Sequence, residues 1–139
     1  MKSNVIDIKK TNYFPSQWDF LVNKQKAKIK AYVGGFGSGK THSFLHCTFI
    51  NLLTKKNNEG KSNGLILYPT YSLAEEVFVE PFREILERNG IDYTYNIANH
   101  RFKTAYGNIK IYQTRHPQRI VGSSYTYVGI DELDIESYK

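Results

Sequence analysis

The sequence predicts an α/β domain with a mostly parallel central sheet, and three observations carry that prediction. Strand-like runs alternate with helix-periodic ones along the chain. The run "GLILYPT" at 64–70 is continuously apolar, as a strand buried on both faces of a parallel sheet must be. A glycine-rich turn, "VGGFGSGKTH" at 33–42, joins an alternating run to a helical one. With 139 residues the chain has the length of one domain, enough to bury roughly two-thirds of the surface its unfolded form exposes.

The elements follow in order. "KIKAYVGG" reads as a strand leading into the glycines, and Thr41 to Leu53 carries Phe44, Leu45, Phe49, Ile50, Leu52 and Leu53 at helical offsets. The polar stretch "TKKNNEGKSNG" at 54–64 is a surface loop before the apolar strand. A second helix follows, with Ser72 as its cap and Glu75 completing a capping box. Pro81 predicts a kink or break within it, because proline removes a ladder hydrogen bond. Phe82, Ile85 and Leu86 continue the helix to Asn89 and Gly90, which stop it. "IDYTYNI", "RFKTAY" and "IKIYQT" are rich in Tyr, Ile and Thr and read as strands, the last two joined as a hairpin through Gly107 and Asn108. "SYTYVGIDELD" at 124–134 is an apolar strand running into three acids.

Composition narrows the class. The apolar fraction is 40% and no run approaches the ~18 apolar residues of a membrane span, so the expectation is a soluble protein without a membrane partner. The lone Cys47 excludes a disulfide framework and fits a reducing cytoplasm. A net charge of +6 favours polyanion partners, with Lys24, Lys26, Lys28 and Lys30 as supporting cations or as one solvated face.

The chemistry lies in two motifs. Gly34, Gly35, Phe36, Gly37, Ser38, Gly39, Lys40 and Thr41 satisfy G-x-x-x-x-G-K-[ST] after a strand and at the mouth of a helix. Such glycines let backbone N–H groups point inward as an anion nest, and the helix start adds the positive end of its dipole. Lys40 would reach the β- and γ-phosphates of ATP and Thr41 would offer its hydroxyl to Mg²⁺. In "YVGIDE", Asp131 at a strand's C-terminal end would hold the Mg²⁺ shell while Glu132 polarises the attacking water. Adjacent Asp and Glu favour hydrolysis over phosphoryl transfer to a second substrate. With "GLILYPT" as an extra strand between the motifs, the predicted class is a P-loop NTPase of RecA-like (ASCE) type, a three-layer sandwich incomplete at its C-terminal end. Residues 1–28 form the adenine-side segment and 29–134 the nucleotide-binding core. Gln17 in "YFPSQWDFL" has the amide needed to read adenine's N6 and N7 edge; a surface glutamine is the competing reading. His42 and His46 stand one helical turn apart with Cys47 adjacent, and a satisfied helix face is favoured over a metal site because a structural zinc wants four ligands.

A Pro-x-Gln segment before "GG-x-GSGK", the hairpin region and "HPQRIVGSSYTYVGIDE", in that order, resemble the ATPase domain of the large terminase subunit of tailed bacteriophages. The resemblance runs from about Tyr13 to Asp134. It implies an ATP-driven ring on the portal of a procapsid in the host cytoplasm, translocating double-stranded DNA delivered with the small terminase subunit. It assigns adenine to Gln17, phosphate and Mg²⁺ to Lys40 and Thr41, metal to Asp131 and catalysis to Glu132 with Lys40. Phe36 stands where many members carry arginine, and Arg115 and Arg119 are both candidates for an arginine finger. The family's nuclease domain is expected beyond this chain. Two alternatives stay open: a superfamily 2 helicase, since "DELD" and "PTYSLA" also fit that pattern, and a nucleotide-binding module without turnover.

Overall fold

The structure, a computed structural model, describes residues 9, 12–22, 39–115 and 124–132. The expected strand at 28–33 and the loop residues Gly34, Gly35, Phe36, Gly37 and Ser38 lie outside the described residues, as does Arg119. Helix α1, Pro15–Val22, starts with proline, whose missing N–H costs nothing in a first turn. Helix α2, Lys40–Thr54, buries Leu45, Phe49 and Leu52 along one stripe, as its periodicity predicts.

Strand β1, Ser62–Tyr68, lies between two parallel neighbours, β4 (Gly107–Gln113) and β5 (Tyr127–Ile130). Its side chains alternate between the two faces of the sheet, and the adjacent Leu65 and Ile66 are both buried, which explains the unbroken apolar run. Strands β2, Tyr93–Asn96, and β3, Arg101–Thr104, extend the sheet antiparallel, giving the order β2-β3-β4-β1-β5. The sheet is therefore mixed, with a parallel centre and an antiparallel margin. The register sets Phe102, Ile109, Ile111, Ile66 and Tyr68 on one face, where they meet the buried stripes of the helices in a single core. Among the described residues the helices cover that face, so two layers of the expected three are described.

Between β1 and β2 the chain runs through α3 (Tyr71–Ala74), a π-helical turn (Glu75–Val79) and α4 (Glu80–Arg88). The disturbance expected at Pro81 takes this form: the ladder widens just upstream, where the proline can neither donate nor tolerate an α-type carbonyl. Phe78 and Phe82 stay stacked on the core side, at 5.1 Å between ring centroids. Asn89 caps the end and Gly90 takes φ 66°.

Two expectations need correcting. The cap of α3 is Thr70, whose hydroxyl accepts from the Leu73 N–H at 3.2 Å, rather than Ser72. Thr70 has the extended backbone a cap requires, whereas Ser72 already lies within the helix, and Glu75 is used elsewhere. The β3–β4 turn is Ala105-Tyr106, with Thr104 paired to Gly107. Gly107 belongs to the strand: at φ 144° a Cβ there would lie 2.0 Å from the Ser62 carbonyl oxygen, so glycine serves close strand approach instead of the turn. No helix among the described residues is long and apolar enough to cross a membrane.

Candidate functional site

The start of α2 and the C-terminal ends of β1, β4 and β5 meet at one edge of the sheet, where open α/β sheets bind ligands. Gly39 caps α2 in a left-handed conformation, φ 78°, which turns the chain from the loop into the helix. Lys40 is exposed and Thr41 half-buried in the first turn, whose N–H groups have no acceptors within the helix and favour an anion. On β5, a Cβ on Gly129 would come within 2.9 Å of the Phe44 ring, so the strand leading to Asp131 closely abuts the first turns of α2. The fold thus brings Lys40 and Thr41 to the same edge as Asp131 and Glu132.

Asp131 follows the last residue of β5 and is half-buried. One carboxylate oxygen accepts from the Tyr68 hydroxyl at 2.8 Å, and the other accepts from the Glu132 N–H at 2.9 Å. Burial, reinforced by the negative charge of Asp131, drives the Tyr68 phenol far above its usual range, so it remains a donor. Glu132 is exposed and holds φ 54°, a left-handed conformation uncommon for a side chain of this kind. A hydroxyl and a carboxylate are hard oxygen donors, the set that suits Mg²⁺, so Thr41 and Asp131 fit that ion chemically. Arg115 is exposed one residue beyond Thr114, whose N–H donates to the Tyr68 carbonyl at 2.9 Å. It therefore also stands at this edge.

Gln17 is 3% exposed. Its carbonyl accepts from the Phe14 N–H at 2.8 Å and its amide donates to the Gly39 carbonyl at 3.1 Å. One donor hydrogen and one acceptor lone pair remain, but the residue also ties α1 to the glycine that begins α2. Beside it an open depression of about 360 Å³ is lined by Asn12, Tyr13, Phe14, Gln17, Gly39 and His42, within the range of small-ligand sites. A Cβ on Gly39 would stand 2.1 Å from the Gln17 amide nitrogen. Gly39→Ala is expected to cost about 1–2 kcal/mol from the left-handed backbone alone, plus displacement of Gln17; chemical denaturation measures it.

The two histidines of α2 are engaged locally. Tyr13 and the His46 Nδ1 share a hydrogen bond of 2.7 Å, and the His42 and His46 rings lie tilted against each other with centroids 4.3 Å apart. Burial, followed by the positive fields of His42 and Arg88, lowers His46 to about 4. An unfolded histidine titrates near ~6.5, so between those values the unfolded chain binds a proton that the folded one refuses. Stability from this group is complete above the unfolded value and is lost on acidification. A lower Tm at pH 5 than at pH 7 is expected, with the difference reduced in His46→Gln.

Sequence reasoning missed Tyr68 and the backbone bonds of Gln17. A tyrosine closing the aliphatic run Leu65 to Leu67, just before Pro69, was the available signal for the first. The hydrogen bonds of Gln17 reach across 22 residues to Gly39 and left no local pattern.

Comparison with solved structures finds the ATPase domain of the large terminase of Thermus phage P74-26. It matches at TM-score 0.56 and 20% identity, covering 70% of this chain and 45% of that one. A mutant of the same domain matches at 0.55 and 20%, covering 73% and 46%. At that identity the likeness establishes a shared fold, and the chain spans less than half the length of those domains. No curated protein matches the chain. The family model described as "Terminase large subunit, T4likevirus-type, N-terminal" matches residues 31–136. Because that match takes in both motifs and most of the chain, the protein belongs to the N-terminal, T4likevirus-type large terminase subunit family.

Proposed function

We propose that this chain is the ATP-binding and hydrolysing part of a phage DNA-packaging motor. The observation that carries the reading is the convergence of the α2 start and the Asp131–Glu132 strand end on one sheet edge, within a chain of the terminase family. Lys40 pairs with the β- and γ-phosphates while Thr41 and Asp131 hold Mg²⁺. Bound Mg²⁺ supplies charge neutralisation on the phosphate oxygens. Glu132 takes the proton of the attacking water, and its exposed position beside Asp131 supports that role. The depression beside Gln17 receives adenine, with the remaining amide hydrogen and lone pair on its N6 and N7 edge. Arg115, standing at the same edge, Arg119, or an arginine beyond this chain would supply the finger acting on a neighbouring subunit's nucleotide.

As in the terminase family, the partners are double-stranded DNA, the portal protein and the small terminase subunit. The working state is a ring on the procapsid in the host cytoplasm. The positive net charge favours the DNA. The test is ATP binding with and without Mg²⁺, followed by phosphate release with and without double-stranded DNA. Mg²⁺-dependent binding and DNA-stimulated release are expected. Absence of ATP binding with Mg²⁺ present sinks the reading, and binding without release in either condition favours the module without turnover.

A further inference from the structure

We infer that Tyr68 is a positioning residue for the metal-binding carboxylate, fixing Asp131 in the orientation that presents its remaining lone pairs to Mg²⁺. The inference rests on the proposed role of Asp131 and adds a residue outside both motifs.

A carboxylate offers about four acceptor directions. Two are taken here by donors on opposite oxygens: the Tyr68 hydroxyl at 2.8 Å and the Glu132 N–H at 2.9 Å. The second donor belongs to the adjacent residue and moves with it. Tyr68 is the donor supplied by another strand, 63 positions away in sequence. The parallel register pairs Leu67 with Ile130, and the Asp131 N–H returns to the Leu67 carbonyl at 3.3 Å. Asp131 is therefore held to the end of β1 through both its backbone and its side chain.

Tyr68 has little freedom of its own. It is fully buried, and its ring lies edge-on to Phe44 of α2 at 6.1 Å and tilted against Phe78 of the π-helical turn at 6.0 Å. Its carbonyl accepts from the Thr114 N–H at the end of β4. An aliphatic residue would fill the same core position, and β1 is otherwise aliphatic from Leu65 to Leu67. What the tyrosine adds is a hydroxyl at the polar edge, aimed at the one carboxylate that the site needs oriented. Donors that orient a metal ligand in this way are worth about 10- to 100-fold in metal affinity or activity.

Tyr68→Phe keeps the ring and removes the hydroxyl. The experiment titrates Mg²⁺ into the chain with mant-labelled ATP and reads fluorescence for the half-saturating Mg²⁺. Affinity for the same nucleotide in EDTA and the Tm are measured alongside. The expected result is a half-saturating Mg²⁺ raised about tenfold, with nucleotide affinity in EDTA unchanged. A packing role alone would lower the Tm and leave the Mg²⁺ midpoint in place, and that outcome overturns the inference. Asp131→Asn separates the two levels. If Asp131→Asn loses the Mg²⁺ response and Tyr68→Phe keeps it, the inference falls and the site reading stands. If the unmutated chain shows no Mg²⁺ response, both fall.

Discussion

Lys40→Ala is expected to remove measurable ATP binding. Lys40 is the one cation of the glycine motif and stands in the first turn of α2, where helix geometry already favours an anion. Truncating one partner of a desolvated charge pair costs about 2–5 kcal/mol, enough to carry a micromolar affinity beyond a fluorescence titration. The side chain is exposed in the first turn, so the Tm should barely move, and that separates a lost contact from a lost fold. Binding equal to the parent chain would remove Lys40 from the site.

Glu132→Gln should do the opposite: keep ATP binding and abolish turnover. A positioned general base contributes about 10²–10⁴ in rate. The amide is nearly isosteric and cannot accept the proton of the attacking water. The backbone at Glu132 is already committed, since its N–H donates to Asp131 and its φ is 54°, and substitution at the end of the side chain leaves both untouched. Phosphate release, measured with DNA present and on a longer polypeptide if this chain alone is silent, checks the loss. Turnover at the parent rate would move the base elsewhere.

What could be read from the sequence follows from how local each signal is. Helix α2 was legible because its stripe, Leu45, Phe49 and Leu52, repeats within a few residues, and β1 because burial on both faces leaves an unbroken apolar run. The motif lysine, threonine and acids stand out in the sequence because spacing and chemistry coincide, and the roles proposed for them rest on that coincidence. The α3 cap was misplaced by two residues because Thr70 and Ser72 are chemically equivalent, and only backbone conformation chooses between them. The hairpin turn was misplaced because Gly107 looks like a turn glycine, whereas the constraint on it comes from Ser62, a strand away. Tyr68 and Gln17 act through partners distant in sequence, and a single chain carries no trace of such pairings.

The π-helical turn at Glu75–Val79 also sets angular phase. Upstream of it, Tyr71 stacks on His100 at 3.6 Å, and at its first residue Glu75 bonds to Tyr95 and pairs with His100. Downstream, Arg83 donates to the Tyr93 hydroxyl, which donates in turn to Glu87. One helical rod thus grips the β2–β3 hairpin at two places while Phe78, Phe82 and Leu86 stay in the core. Deleting a single residue from the turn would restore a regular ladder but rotate one half against the other by about 100°. Only one of the two grips could then survive, so the widened turn acts as a register pin that sets where the antiparallel margin of the sheet is held.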